Sequence, residues 1–330
     1  MFKRLLSAFG VGGPSVDTVL DTPHVVPGQV LTGSVRIQGG SADAEIGEIA
    51  LSLVTRIEVE SGDSEFTGTG EFQRVVVGHG VRVPAEQLVV VPFRLDIPWE
   101  TPITAVSGHQ LPGMTVGVRT ELVIAGAPDK GDLDPVEVHP LPSQDAVLEA
   151  FGELGFHFHS ADVEAGRIYG VPQQLPFFQE LEFYPPAAFA GRLNQVELTF
   201  VATPHDLHVV LEADKRGGLF RQGGDMFGRF ATSHAEAGNR DWTGLIGQWL
   251  EQAAERGPSV YHGDPAFGEY PGPYGQPAPY AHPDQYHHER RDPGMGGVIA
   301  GAAAGVVGGL VMGEVMEEIF EGDEEEDFED

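Results

Sequence analysis

Thirteen histidines and no cysteine define the coordination chemistry open to this 330-residue chain. Imidazole and carboxylate ligands are available and thiolate is not, which excludes Cys-ligated zinc, iron–sulfur clusters, disulfide staples and a thiol nucleophile. Two short histidine patterns have ligand-like spacing. HFH at 157–159 places His157 and His159 on one strand face, and HDLH at 205–208 offers His205 and His208. Neutral imidazoles so arranged can hold zinc or nickel. Neither pair has an acidic ligand at a defined interval, so solvent-facing or packing histidines are the plainer reading. His282, His287 and His288 lie in a low-complexity stretch and need no site to explain them.

Other chemistries lack their signatures. The chain has no GxSxG elbow, no GxGxxG and no GxxxxGK[ST], so the Ser/His/Asp hydrolase, dinucleotide and P-loop readings have no support. RGG at 216–218 and QGGDMFG at 222–228 read as surface loop between β elements. Carboxylates are too plentiful for any pair to stand out as acid and base. The expectation is a protein without catalytic residues, cofactor or enzymatic activity.

The sharpest local pattern is near the C-terminus, where Gly297, Gly301, Gly305, Gly309 and Gly313 recur every fourth residue in an uncharged run, 295–313. On a helix they would line one narrow ridge that another helix can approach closely. Nineteen residues at about 1.5 Å each come close to spanning a bilayer core. The abundant Gly and Ala oppose a stable span. Membrane association, helix–helix association and a collapsed segment all remain open readings of 295–313.

The elements that would carry these residues are mostly strands. Residues 49–59, 89–97 and 116–124 alternate apolar with polar or small side chains, the period of a strand with one buried and one wet face. Pro92 inside the second run points to an edge strand or bulge. A polar stretch, 126–135, reads as a domain boundary. Strands resume at 156–159, 177–184, 195–202 and 207–213. Two helices interrupt them. One covers 144–154, capped by Ser143 and stopped by Gly155. The other covers 242–255, capped by Asp241, with Trp242, Leu245, Ile246, Trp249, Leu250 and Ala253 on one face. The fold class is therefore all-β: two tandem antiparallel β-sandwiches with two short helices and a low-complexity C-terminal tail. The divisions fall at 1–130, 131–257, a Pro/Gly/Tyr/His-rich linker at 258–294, and the Gly-ridge segment with its acidic end at 295–330.

Charge separates the tail from the body. Of a net −31, residues 258–330 contribute 16 acids against 2 bases, and eleven of those acids crowd into 314–330. Such an acidic balance argues against nucleic acid, whose phosphates call for an excess of Lys and Arg. The start, MFKRLLSAFGVGG, has Lys3 and Arg4 before a short apolar run. Ser7 and three glycines break that run and no cleavage pattern follows, so a cytoplasmic location is expected. The apolar face of this start docks onto the first domain or, as the sharper alternative, touches a membrane weakly, and the tail is the other candidate for membrane contact.

Several long stretches resemble the Spo0M-like sporulation-control family. They are SVDTVLDTPHVVPGQVLTGSVRIQGG at 15–40, IALSLVTRIEVE at 49–60, VEVHPLPSQDAVLEAFGELGFHFHSADVE at 136–164, QQLPFFQELEFYPP at 173–186 and NQVELTFVATPHDLHVVLEADKRGG at 194–218. The resemblance runs from about residue 1 to 257 and implies an arrestin-like body of two curved β-sandwiches. It further implies a regulatory scaffold or adaptor that works through protein contacts in developmental or cell-division control, with division or cytoskeletal partners. It brings no catalytic residues to transfer. A β-sandwich binding a small ligand or metal through His157, His159, His205 or His208 is the alternative.

Overall fold

A computed structural model describes residues 12–61, 64–124, 130–214 and 226–255. The N-terminal run 1–11, the linker 258–294 and the Gly-ridge tail 295–330 lie outside the described residues, and so do the expectations attached to them.

Sixteen strands dominate the described residues, in keeping with the alternation. In chain order they are β1 (Ser15–Leu20), β2 (His24–Val25), β3 (Val30–Gln38), β4 (Ala44–Ser61), β5 (Ser64–Val83), β6 (Leu88–Asp96), β7 (Ala105–Val106), β8 (His109–Gln110), β9 (Val116–Ile124), β10 (Lys130–Pro135) and β11 (Glu137–Val138). After helix α1 (Pro142–Leu154) come β12 (His157–Ala165), β13 (Phe177–Tyr184), β14 (Gln195–Ala202), β15 (Asp206–Asp214) and β16 (Met226–Ser233), then the one-turn α2 (His234–Ala237) and α3 (Trp242–Glu255).

The first half is a two-sheet sandwich. A three-stranded sheet, β1-β3-β6, packs on β10-β9-β4-β5. Leu31, Val35, Ile37, Phe93 and Leu95 from one sheet share a single core with Ile49, Leu51, Leu53, Val118 and Leu122 from the other. The Thr18 and Thr120 hydroxyls, 2.6 Å apart, satisfy each other across that interior. Among the described residues β6 has one hydrogen-bonded neighbour, β3, which makes Pro92 an edge-strand proline as its ring demands. β10 pairs antiparallel with β9, so the stretch read as a polar boundary supplies a strand to the first half at 130–135.

β4 departs from simple alternation. Its inward row is buried as expected, but Ala50, Ser52 and Val54 on the other face are also 0–1 % exposed. The cross-strand neighbours explain this. Ser52 is flanked by Arg74 of β5 and Arg119 of β9, and Val54 by Glu71. These long side chains lie over the small ones in an ion-pair lattice. Arg74 contacts Glu48 at 2.9 Å and Glu121 at 2.7 Å, while Arg119 contacts Glu71 at 2.5 Å and Glu121 at 3.2 Å. Aliphatic stems thus cover what a polar pattern suggested would be wet.

The sheet continues into the second half where β12 joins β4 in parallel, Glu164 beside Glu58, and runs on antiparallel through β13, β14, β15 and β16. Its apolar face carries Leu181, Leu198 and Leu211 in one cross-strand row. Helices cover it. Phe151 of α1 packs 4.8 Å from the Phe183 ring, and Trp242 of α3 meets Phe230 edge-on. Trp249 lies so close to β16 that a Cβ on Gly228 would sit 2.6 Å from its indole nitrogen, which only glycine avoids.

Both helices fall where expected, with one correction at a cap. Pro142 takes the first turn of α1, its missing N–H costing nothing there, and Leu141 N–H donates to Gln144 Oε1 at 2.7 Å. Ser143 is buried inside the helix, its hydroxyl 2.7 Å from His234 Nδ1, and caps nothing. Gly155 ends α1 with φ 85°, a left-handed stop. Asp241 does cap α3, its Oδ1 accepting from Gly244 N–H at 2.8 Å.

Candidate functional site

The histidines singled out by spacing do not converge. His157 pairs with Tyr184, but a bulge between Phe158 and Ser160 disrupts the alternation, leaving His159 against the Tyr184 ring at 4.5 Å. His205 is exposed in the turn before β15. His208 pairs with Val201 of β14, and burial lowers its pKa below the usual imidazole value. β13 and β14 lie between the two pairs, which occupy opposite ends of the sheet. Sequence spacing sees neighbours along a chain and not the strands that separate them.

Three other residues do converge. β2 and β11 pair in parallel, His24 beside Glu137 and Val25 beside Val138. Backbone bonds hold the register, Glu137 N–H to Pro23 O at 2.7 Å and His139 N–H to Val25 O at 2.8 Å. Strand alternation then sends Val25 and Val138 into the core, 4 % and 0 % exposed, and leaves His24, Glu137 and His139 together on the outer side. His139 Nε2 lies 2.9 Å from Glu137 Oε1, His24 Nδ1 lies 3.4 Å from the same oxygen, and the two ring nitrogens are 3.5 Å apart. Among the described residues this is the one group of three metal-donor side chains whose ligand atoms lie within 4.8 Å of one another. His139 also lines a cleft of about 360 Å³ with Ser107, Asp145 and Glu149. The sequence signal was slight: Glu-x-His at 137–139 is a strand-face pair, and nothing along the chain announces a two-residue strand pairing with His24.

A second charged region occupies the face of β12–β16 opposite the helices. Asp162, Glu180, Thr199, Val210 and Arg229 form one cross-strand row, and Ser160, Glu182, Glu197 and Glu212 the next. Glu180, Glu164 and Glu197 are 3 %, 5 % and 8 % exposed. Burial, followed by the charges of Glu197, Asp162, Glu212 and Glu164, pushes the Glu180 carboxyl up to about 10, so it is protonated at neutral pH. Ser160 Oγ donates to Glu182.

The third feature is apolar. On the outer face of edge strand β6, Leu88 and Val90 are 53 % and 49 % exposed, with Pro92 beyond them. Their cross-strand neighbours on β3 are Gln38, Arg36 and Ser34, so the apolar pair lies against a polar strip.

These features define a class: a mostly-β protein of two halves joined through one sheet, with few short helices. The profile of the family described as Spo0M: SpoOM protein matches residues 2–217. The sporulation-control protein spo0M of Bacillus subtilis (strain 168) is 32 % identical over 216 residues, covering 65 % of this chain and 81 % of that protein. The crystal structure of Spo0M, sporulation control protein, from Bacillus subtilis superposes with a TM-score of 0.65 at 29 % identity, covering 74 % of this chain and all of that one. The chain belongs to the Spo0M family.

Proposed function

We propose that this chain is a non-enzymatic regulatory scaffold of the sporulation-control type, acting by protein–protein contact in developmental or cell-division control. Family membership supports the regulatory role. The observation that favours contact is the β6 edge, where Leu88 and Val90 stand exposed beside a free strand edge among the described residues. An added strand can hydrogen-bond along such an edge while apolar side chains supply specificity. The partners on this reading are division or cytoskeletal proteins, and the tail from 295 tethers or oligomerises the body, raising its effective concentration near them. No helix among the described residues is long and apolar enough to cross a membrane.

The experiment is affinity capture from cells with the full chain and a Leu88→Lys/Val90→Lys variant. Both side chains are exposed, so folding should be unchanged. The expected result is a set of division or cytoskeletal proteins recovered by the natural chain and lost with the variant. Equal recovery by both would remove the β6 edge from the account, and recovery of no such protein would remove the scaffold reading.

A further inference from the structure

We infer that His24 Nδ1, Glu137 Oε1 and His139 Nε2 form a zinc-binding site with a fourth coordination position open to solvent. The inference goes beyond the scaffold reading and does not depend on it.

The geometry is that of a tetrahedral site's three protein ligands. With metal–ligand bonds of about 2.0–2.1 Å, neighbouring donors on a tetrahedron stand about 3.3–3.4 Å apart. Two of the three separations here are 3.4 and 3.5 Å, and the third, 2.9 Å, needs only a small rotation of the half-exposed Glu137 carboxylate. Two imidazoles and one carboxylate suit zinc and disfavour calcium or magnesium, which prefer oxygen ligands throughout. The ligand carriers are already ordered. Register and the buried Val25 and Val138 place all three side chains before any ion arrives, so little backbone entropy is lost on binding.

The ligand state follows from the contacts. His139 must present the Nε2 lone pair, so its ring proton resides on Nδ1 in the bound form, and His24 correspondingly carries its proton on Nε2. The side chains of His24, Glu137 and His139 are 57 %, 39 % and 31 % exposed, which leaves the fourth position for water or an incoming side chain. An ion there would also join residues 115 positions apart in sequence. It would tie β2 of the first half to the segment that leads into α1.

Zinc titration of the full chain, freed of metal by chelation and read by competition with a chromophoric chelator, tests the site. The expected result is one zinc per chain, with His24→Ala and His139→Ala each weakening it by at least about 100-fold, since losing even a residue that supports a ligand costs about 10–100-fold at such sites. Zinc should raise the thermal midpoint of the natural chain and not that of either variant. A variant lacking His157, His159, His205 and His208 should bind as the natural chain does. X-ray absorption should show two imidazole nitrogens in the first coordination sphere. Absence of zinc uptake at micromolar free metal would overturn the proposal. So would uptake unaffected by His24→Ala and His139→Ala, which would place the metal on other histidines.

Discussion

The outer faces of the two halves are both rich in charge and settle it in opposite ways. On β4, β5 and β9, Arg74 and Arg119 alternate with Glu48, Glu71 and Glu121, and the lattice lies over Ala50, Ser52 and Val54. On β12–β15, carboxylates follow one another across the strands, and Glu180 holds a proton instead of a partner's charge. Long side chains of both signs let a charged face bury its own small residues. A buried carboxyl crowded by other carboxylates, as Glu180 is, gives up its ionisation, since charge is costly to hold in a low dielectric. The lesson is that strand alternation reports which side chains are polar, while the sequence of signs across neighbouring strands decides how they are buried.

Three perturbations probe that contrast. The largest effect is expected from removing the cover on the opposite side of the acidic sheet. Trp249→Ala deletes the indole over Gly228 and should cost about 3–5 kcal/mol in denaturant unfolding, the range for large aromatic truncations in a core. A loss below about 1 kcal/mol would mean that α3 does not hold the second half's sheet.

Next in size is Glu180→Gln. The folded-state pKa of about 10 lies above the ordinary 4.5, so the folded protein binds the extra proton. Stability from this group is full below pH 4.5 and declines as pH rises from there towards 10. The neutral amide has no proton to lose, so the substitution removes that decline. It should stabilise the protein progressively as pH rises above 4.5, by at most about 1.4 kcal/mol per pH unit, with little change at about pH 4. Parallel pH profiles for the two proteins would refute a protonated Glu180.

The smallest effect belongs to the paired lattice. A double-mutant cycle on Arg119 and Glu71, using Arg119→Met and Glu71→Gln, should give a coupling of about 0.5–1 kcal/mol, reduced by salt. Zero coupling would leave the aliphatic stems, and not the charges, as the cover of Ser52.

Much of this fold was legible from alternation and caps. β9 and β13 fall where their patterns place them, α3 starts at its Asp241 cap, and Pro92 marked an edge. β5 was not legible, because SEFTGTGEFQRVVVGHGVRV is broken by glycines, and its strand character comes from pairing along nearly the whole of β4. β16 hid for a similar reason: MFG at 226–228 reads as a continuation of a Gly-rich loop, but Gly228 is small because Trp249 lies against it. The candidate site was less legible still. HFH and HDLH advertise their histidines locally, whereas His24 and His139 meet through a two-residue parallel pair that has no periodicity of its own.

A photo-crosslinking residue placed at Val90 in living cells probes the proposed regulation by contact through the β6 edge. A control at Glu251, exposed on α3, samples another surface of the same body. Contact through this edge should give discrete crosslinks to a division or cytoskeletal protein from position 90 and none to that protein from position 251. Identical crosslinks from both positions, or none from position 90 while the protein is captured by other means, would contradict it.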